Sequence, residues 1–298
     1  MADKAVLLRR VTYASVGVAG SLMVFKLLAW WLTDSVSVMA SLMDSATDML
    51  ASGINLLAVR YAMVEADDNH HFGHGKAESL SALAQGMFIA GSSIFLIVSA
   101  SGRLYRPVPL NNDLLGIGVM LVSLLATAAL VLYQRWVLKQ VESPSVRADS
   151  LNYLNDLLTT AGVLAALVLA ALGWHPADPL IAIAVGLYML RGVWVILSEA
   201  VAALMDVALP PEEMARIEAA IASVPGSDGV HRLRARRNGE WRMVDMHLEF
   251  DDHVSLYEAH EVNDRVEEAI AACFEGPVEI MIHMEPKSVA HDDRHKLG

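Results

Sequence analysis

The sequence predicts a six-helix transmembrane domain in residues 1–204, a small α+β domain in residues 205–290 and a flexible tail in residues 291–298. The first observation is apolarity: 55% of the 298 residues are hydrophobic, 19% are charged, and the mean hydropathy is +0.42, above the usual value for a soluble domain. The second is charge, because residues 1–204 hold 14 acidic and 12 basic residues, whereas residues 205–298 hold 20 and 10. A second part with this much negative charge would repel the phosphate backbone of a nucleic acid, so nucleic acid binding is excluded.

Six apolar stretches are each long enough to cross a bilayer as a helix, which takes roughly 20 residues. They run approximately over residues 11–32, 36–63, 78–101, 113–138, 149–173 and 177–204. Basic residues precede the first stretch and flank the connections between the second and third and between the fourth and fifth, whereas the opposite side carries only Arg103 and Arg106. By the positive-inside rule, both termini and these two connections are expected in the cytoplasm.

Beyond residue 205 the pattern becomes that of a small α+β domain. Pro210 and Pro211 open a helix that runs to about residue 223. Strands over 230–237 and 243–250 follow, and Asn238-Gly239 between them is a hairpin signal. A helix over about 256–274 and a strand over 278–283 complete the order helix, strand, strand, helix, strand. This order is typical of an open ferredoxin-like, metallochaperone-like fold.

Polar residues interrupt two of the predicted spans. Asp44 and Asp48 lie four residues apart in the second, and Asn152 and Asp156 repeat this spacing in the fifth, so each pair shares one helix face. A carboxylate inside a bilayer is costly unless it is paired or lines a wet cavity, and intramembrane acids usually mark an ion path. If the two faces meet, four oxygen-bearing side chains replace much of the hydration shell of a divalent cation.

The alternative for these acids is pairing with basic residues in other helices, for which Lys26 and Arg191 are the only candidates deep enough. Two basic residues cannot neutralise three acids, so an ion site is favoured. A further acid, Asp149, is expected to be a charge at the cytoplasmic start of the fifth helix, near Arg147.

Two groups of histidines and carboxylates add candidate metal ligands. Because Cys273 is the only cysteine, any metal site must use His, Asp, Glu or Asn. After the second span, Asp67, His70 and His74 form a three-ligand set, with a merely polar loop as the alternative. In the second domain, the candidates lie at strand ends or on the second helix and favour a binuclear metal site; they are His231, His247, His260, His283 and Glu285.

Four segments resemble the cation diffusion facilitator family, in particular its bacterial zinc and ferrous-iron efflux branch, and the resemblance extends over nearly the whole chain. They are residues 41–48 (SLMDSATD), 68–80 (DNHHFGHGKAESL), 148–156 (ADSLNYLND) and 282–286 (IHMEP). The resemblance implies a homodimer in the bacterial inner membrane, in which each protomer exchanges a divalent cation for protons between the second and fifth spans. It also implies a loop metal site, a cytoplasmic dimer interface bridged by metal ions, and an ion pair between Lys76 and Asp206 where the domains join.

Two positions depart from that branch. The branch usually has an aspartate where this chain has Glu285, which preserves the carboxylate, and a histidine where it has Asn152. An amide oxygen is a weaker and harder ligand than an imidazole nitrogen, which favours Mn²⁺ or Fe²⁺ over Zn²⁺. The change also removes a group that titrates near neutral pH, so the coupling proton would have to bind Asp44, Asp48 or Asp156.

The sequence therefore predicts a secondary transporter, not an enzyme, that exports Zn²⁺, Fe²⁺, Mn²⁺ or Cd²⁺ in exchange for protons. Divalent metal ions are also expected in the second domain as structural or regulatory ions, where they would stabilise one arrangement of the dimer. Two alternatives are a membrane-bound metallohydrolase that uses Asp67, His70 and His74, and a metal sensor that does not transport. The first of these leaves the intramembrane acids unexplained.

Overall fold

The computed structural model describes residues 2–33, 36–105, 114–172, 174 and 176–289. The chain divides into two compact units, which we call the helical unit (Met1–Val201) and the C-terminal unit (Ala202–Gly298). The predicted flexible tail over residues 291–298 and Arg106 lie outside the described residues.

The described part of the helical unit forms six long helices, and the last of them ends just beyond it. They are α1 (Ala2–Thr33), α2 (Val36–Ala62), α3 (Lys76–Tyr105), α4 (Leu114–Leu138), α5 (Pro144–Ala171) and α6 (Ala177–Leu204). Each coincides with most of one predicted apolar stretch. The starts differ most at α1, which begins at Ala2, nine residues before the predicted start, and at α5, which begins at Pro144, five residues before it.

Four segments of these helices are long and apolar enough to span a membrane by length and composition. Within the described residues they are Lys4–Leu32, Lys76–Leu104, Ile117–Leu138 and Ala177–Leu204. The two helices outside this set, α2 and α5, are the ones that carry the predicted polar pairs. The structure therefore supports a multi-pass membrane domain, and the crossing of all six helices stays a prediction.

The helical unit places apolar side chains outside and polar side chains inside. Phe95, Leu125 and Trp194 are each more than 70% exposed, whereas Ser52 and Gln134 have no exposed surface. A soluble helical bundle would bury the first group and expose the second. This distribution suits a domain whose outer surface contacts lipid tails and whose interior holds polar groups.

The C-terminal unit has the predicted order of two helices and three strands. Its elements are α7 (Pro211–Ser223), β1 (Gly229–Asn238), β2 (Trp241–Phe250), α8 (Leu256–Ala271) and β3 (Val278–Pro286). The sheet has the order β1-β2-β3, with β1 antiparallel to β2 and β2 parallel to β3. The parallel pair requires a crossover connection, which α8 supplies.

Local sequence signals set the turns of this unit. Asn238 pairs with Trp241 across a two-residue turn, and Gly239, its first central residue, has a φ of +61°. Such a φ is accessible to glycine at little cost. At the start of α8, Ser255 and Glu258 form a reciprocal capping box, which satisfies backbone N–H groups that the helix leaves unpaired.

Alternation along β2 assigns the two faces of the sheet. Val244, Met246, Leu248 and Phe250 are buried in one core with side chains of α7 and α8. Successive side chains of a strand point to opposite faces, so the odd-numbered residues of β2 lie on the face that the helices do not cover. His247 is among them.

Candidate metal centres

Four polar residues predicted to form one site line a single cavity in the helical unit. Asp44 and Asp48 of α2 and Asn152 and Asp156 of α5 border this cavity, which has a volume of about 630 Å³. The pairs are aligned because a spacing of four residues places both members on one helix face. We call this set the α2–α5 site.

The centre of the α2–α5 site is formed by three of its members. The Asn152 side-chain Nδ2 donates a hydrogen bond to Asp48 Oδ1 over 3.1 Å, and the carboxyl groups of Asp48 and Asp156 lie within hydrogen-bonding reach of each other. Asp156 Oδ2 is buried without a hydrogen-bond partner among the described residues. A buried acceptor without a partner is costly, and it is available to bind a cation or a proton. Asp44 lies at the more exposed side of the site.

Lys26 of α1 is the one basic residue near the centre of this cavity among the residues that the structure describes. Its Nζ donates to Ser45 Oγ over 2.7 Å and to Ser41 O over 3.2 Å, and it forms no ion pair within 4 Å with the site's acids among the described residues. The other candidate for neutralisation, Arg191 on α6, does not line the cavity. One ammonium group against three carboxylates leaves two negative charges, which one divalent cation neutralises.

The cavity extends from the α2–α5 site toward one end of the helices. Its lining runs from Phe88 to Arg103 in α3 and from Asp178 to Val185 in α6. At this end Arg103 Nη1 and Asp178 Oδ2 form an ion pair at 3.2 Å. This is the end opposite the connections between α2 and α3 and between α4 and α5, so the cavity opens on the side predicted to be external.

The expectation that Asp149 is a charge at the start of the fifth helix, near Arg147, is wrong. Because α5 begins at Pro144, Asp149 lies in its second turn and has no exposed surface. It accepts hydrogen bonds from Ser52 Oγ over 3.1 Å and from Gln134 Nε2 over 2.8 Å. Arg147 pairs instead with Glu199.

The connection between α2 and α3 brings its three predicted ligands together. Ligand atoms of Asp67, His70 and His74 all lie within 4.8 Å of one another. Asp67 Oδ1 is 3.2 Å from His70 Nδ1, and Asp67 Oδ2 is 3.5 Å from His74 Nε2. His71, for which the sequence offers no role, contacts the Asp68 carbonyl oxygen instead. The arrangement suits a metal with one carboxylate and two imidazole ligands.

Backbone groups hold the Asp67 carboxylate ready to act as a ligand. The N–H groups of Asn69 and His70 donate to Asp67 Oδ1 over 2.9 and 2.7 Å. These hydrogen bonds favour the charged form, so they lower the pKa of Asp67 below its ordinary value. The carboxylate therefore stays ionised to more acidic pH than an isolated aspartate.

In the C-terminal unit, sheet register builds the second predicted group. His231 of β1 lies opposite His247 of β2, which lies opposite His283 of β3. One row away, Glu249 of β2 lies opposite Glu285 of β3. Because residues two apart share a face, the histidine row and the glutamate row lie side by side on the face that α7 and α8 do not cover.

The contacts within this group fit a metal better than a hydrogen-bonded cluster. His231 Nε2 and Glu285 Oε1 are 2.8 Å apart, yet both atoms are buried without a partner in hydrogen-bond geometry among the described residues. His247 Nδ1 lies 3.3 Å from Glu285 Oε2, and the three side chains offer ligand atoms within 4.8 Å of one another. The His283 ring packs on His247, with ring centroids 4.7 Å apart.

His260, the fifth predicted member, is not brought to this group within one chain. It lies on α8 with an exposed side chain and is 3.6 Å from Asp264. The reason is topological: α8 packs on the opposite face of the sheet from the histidine row. Within a single chain His260 therefore does not join the other four residues, and its role as a metal ligand stays a prediction.

Glu249 is a member of the group that the sequence analysis missed. It is buried, and its Oε1 lies 2.9 Å from His231 Nδ1. The interaction fixes the imidazole orientation and leaves Nε2 directed at Glu285. A signal was present in the sequence, since a His-X-Glu triplet occurs at 247–249 and again at 283–285, but only the sheet register shows that the two triplets are neighbours.

Replacing Glu249 with glutamine is expected to weaken metal binding at this group by about 10- to 100-fold, the usual effect of losing a carboxylate that orients a histidine ligand. The measurement is calorimetric titration of the full chain with Mn²⁺ and Zn²⁺, in an Asp48→Ala, Asp67→Ala background that removes the other sites. Asp245→Asn is the matched control, because Asp245 lies on the same strand and face but pairs with Arg234 at the surface. Equal affinity in the Glu249→Gln chain would exclude this role.

The ion pair predicted between Lys76 and Asp206 would join residues of the two units. Inside the C-terminal unit, Asp206 Oδ2 lies 2.9 Å from Arg236 Nη1. Asp206 also has a φ of +56°, an uncommon conformation for a non-glycine residue. Its pairing with Lys76 stays a prediction.

Two family descriptions match consecutive parts of the chain. The cation efflux transmembrane domain matches residues 12–205, and the cytoplasmic domain of cation efflux proteins matches residues 209–287. The chain belongs to the cation diffusion facilitator family. Members of this family are transporters and not enzymes, and the function is efflux of divalent metal cations. Membership disfavours the metallohydrolase and the non-transporting sensor.

Named relatives match nearly the whole chain. The cation-efflux pump FieF of Salmonella paratyphi A is 45% identical over 291 residues, which cover 98% of this chain and 97% of the relative. The FieF pump of Salmonella choleraesuis is 44% identical over the same coverage. Among solved structures, a chain of CzrB is 36% identical with a TM-score of 0.25, covering 26% of this chain and 98% of its own length. A chain of the MamM CTD is 28% identical with a TM-score of 0.24, covering 26% and 95%.

Proposed function

We propose that this cation diffusion facilitator exports a divalent cation in exchange for protons at the α2–α5 site. The observation that carries the proposal is the meeting of three carboxylates and one amide in a single cavity of a membrane domain. With Lys26 beside them, the ionised acids carry the charge that one divalent cation neutralises. The membrane excludes such a cluster of acids unless it binds an ion.

The proposed cycle alternates two occupants of the same oxygens. A cation from the cytoplasm binds the ionised carboxylates, and the near-neutral complex moves to the outward-open arrangement at low cost. Protons from outside then compete for the carboxylates and release the cation into the cavity. The contact between Asp48 and Asp156 suits the return step, because repulsion between two neighbouring carboxylates disfavours the state in which both are ionised and favours binding of a proton. One pocket thereby couples the two opposite fluxes.

The amide at position 152 favours harder cations. Because Asn152 Nδ2 donates to Asp48, the side-chain oxygen is the atom left for the cation. Carboxylate and amide oxygens suit Mn²⁺ and Fe²⁺ better than they suit Zn²⁺, which prefers nitrogen and sulfur ligands. We therefore place Mn²⁺ and Fe²⁺ ahead of Zn²⁺ and Cd²⁺ as cargo.

The arrangement in the membrane follows the distribution of charge. In this proposal all six helices cross the bacterial inner membrane, both termini are cytoplasmic, and the cavity opens outward. Residues 1–204 form the transport domain and residues 205–290 the metal-binding domain, joined by the pairing of Lys76 with Asp206. The loop ligands Asp67, His70 and His74 then face the cytoplasm.

The protein is proposed to act as a homodimer that senses metal through its C-terminal domain. The match to the cytoplasmic domain of cation efflux proteins and the histidine row on an uncovered sheet face support this role. His231, His247 and Glu285 would hold a metal ion, and this ion would neutralise the buried Glu285 carboxylate. His283 would hold a second ion. His260 would complete the set only from the partner protomer. Metal that binds one dimer arrangement better shifts the equilibrium toward it.

Reconstituted protein tests the proposed exchange directly. Vesicles with an acidic lumen and Mn²⁺ outside are expected to accumulate the cation while protons leave, and collapse of the pH gradient with a proton ionophore is expected to stop accumulation. Protein-free vesicles are the control. Accumulation that is indifferent to the pH gradient would contradict proton coupling.

A further inference from the structure

The helical unit contains a second buried carboxyl group that cation binding at the α2–α5 site does not use. Asp149 of α5 has no exposed surface, and no basic side chain pairs with it among the described residues. Its hydrogen-bond donors are the Ser52 hydroxyl and the Gln134 amide. Burying a carboxyl group without a basic partner costs free energy, and ionisable groups inside a membrane domain usually have a function.

Asp149 belongs to a buried polar network that joins four helices. Ser52 Oγ of α2 lies 2.7 Å from the hydroxyl oxygen of Tyr153 on α5, and Gln134 of α4 also donates to Ser15 Oγ of α1 over 3.0 Å. Asn55 of α2 is fully buried, and both its side-chain polar atoms lack a hydrogen-bond partner among the described residues. The titratable groups whose charge acts on Asp149 are Asp48 and Tyr153, and its hydrogen-bond donors on α2 and α4, Ser52 and Gln134, are uncharged.

The network lies between the α2–α5 site and the predicted cytoplasmic ends of the helices. Along α5, Ser145, Asp149, Asn152 and Asp156 follow one another at spacings of four, three and four residues, which keep them on one helix face. With a rise of about 1.5 Å per residue, Asp149 lies about 10 Å along the axis from Asp156. On α2, Ser52 likewise lies one turn beyond Asp48.

A third buried carboxyl group continues the series at the predicted cytoplasmic end. Glu78, in the first turn of α3, accepts hydrogen bonds from Ser143 and from Ser145 Oγ, the latter over 3.2 Å. Both serines are buried, and Ser145 lies one turn of α5 before Asp149. Carboxyl groups with intervening hydroxyls thus occur at three levels of the helical unit.

This composition suits protons rather than metal. Around Asp149, one carboxyl group faces neutral amides and hydroxyls, which is too little charge to replace the hydration shell of a divalent cation. A carboxyl group and a hydroxyl can both accept one proton and pass on another, so the series can move a proton without moving an ion.

Building on the proposed proton exchange, we propose that Asp149 is a proton-transfer residue that carries protons from the α2–α5 site toward the cytoplasm. A proton released at the α2–α5 site reaches the Ser52 hydroxyl, one turn beyond Asp48. Ser52 accepts it while giving its own proton to Asp149 along their 3.1 Å hydrogen bond, and Asp149 passes a proton on toward the predicted cytoplasmic end, where Glu78 lies. The carboxylates of the α2–α5 site are left ionised for the next cation. Each transfer breaks one O–H bond and forms another, so no further reactant is needed.

Two transport modes of the reconstituted full chain separate this role from a structural one. Net uptake driven by a pH gradient needs proton transfer, whereas exchange of external radioactive manganese for Mn²⁺ inside the vesicles, without a gradient, does not. Asp149→Asn keeps the size of the side chain and an oxygen that accepts from Ser52 and Gln134. It is expected to lower net uptake about 10-fold or more, within the range for loss of a positioned proton-transfer group, and to leave metal-for-metal exchange at the wild-type rate.

The remaining variants make the outcome decisive. Asp149→Glu restores a titratable group and is expected to recover net uptake. Equal loss of both modes in Asp149→Asn would show a structural role and overturn the inference, as would unchanged net uptake. Absence of gradient-driven uptake in the wild-type chain would instead reject the proposed proton exchange, and with it the need for this residue.

Discussion

Vesicles that contain the Asp48→Ala chain are expected to take up Mn²⁺ about 100-fold more slowly than wild type, or not at all. Asp48 is the member of the α2–α5 site that contacts both Asn152 and Asp156. At an effective dielectric constant of about 20, a unit charge pair 4 Å apart is worth about 4 kcal/mol, and each 1.4 kcal/mol corresponds to about tenfold in affinity. Initial rates with an acidic lumen provide the measurement.

The control for this prediction lies one residue away. Thr47 borders the same cavity, and its hydroxyl donates to the Met43 carbonyl oxygen of its own helix. Thr47→Val therefore alters the cavity wall without removing charge and should transport normally. Wild-type rates in the Asp48→Ala chain would mean that the cation binds elsewhere.

Replacing Asn152 with histidine is expected to raise the Zn²⁺ to Mn²⁺ ratio of initial uptake rates about tenfold or more, because an imidazole nitrogen favours Zn²⁺ over Mn²⁺ in the usual affinity order. Asn152 is almost fully buried and contacts Asp48, so the new ring would meet the same carboxylates. The larger side chain enters a cavity of about 630 Å³, which offers room for it. Measuring both ions under one pH gradient cancels differences in protein amount.

Asn155→His separates a ligand effect from the mere presence of an imidazole. Asn155 lines the same cavity from the same helix, three residues further along α5, but is outside the α2–α5 site. Its variant should keep the wild-type ratio. An equal rise in both histidine variants would show that position 152 does not select the cation.

Much of the architecture could be predicted because its signals are local. Apolar length located the six helices, and period-two alternation with Asn238-Gly239 located β1 and β2 nearly to the residue. The α2–α5 site could be predicted because a membrane helix rarely tolerates two acids on one face unless they bind an ion. The grouping of Asp67, His70 and His74 could be predicted for a related reason, because residues of one short loop cannot lie far apart.

The errors arose where position depends on tertiary packing. Asp149 was misplaced because the polar first turn of α5 resembles a loop in composition, although Pro144 is a good helix start. Glu249 was missed because a glutamate beside a histidine is common, and only pairing of β2 with β3 aligns it with Glu285. His260 was grouped with the strand histidines because periodicity gives a helix its buried side but not the side of the sheet on which the helix packs.

The ion pair at the mouth of the cavity affects how a cation departs. Among the described residues that line the cavity, Asp178 is the carboxylate at its mouth, and the ion pair with Arg103 compensates its charge, so in the proposed cycle it would add no second binding site for a departing ion. For the described lining residues, the electrostatic potential therefore rises from the acids of the α2–α5 site to a nearly neutral mouth. In the proposed cycle, release would then depend on proton arrival at the α2–α5 site, and recapture of the cation from a metal-rich exterior would be weak.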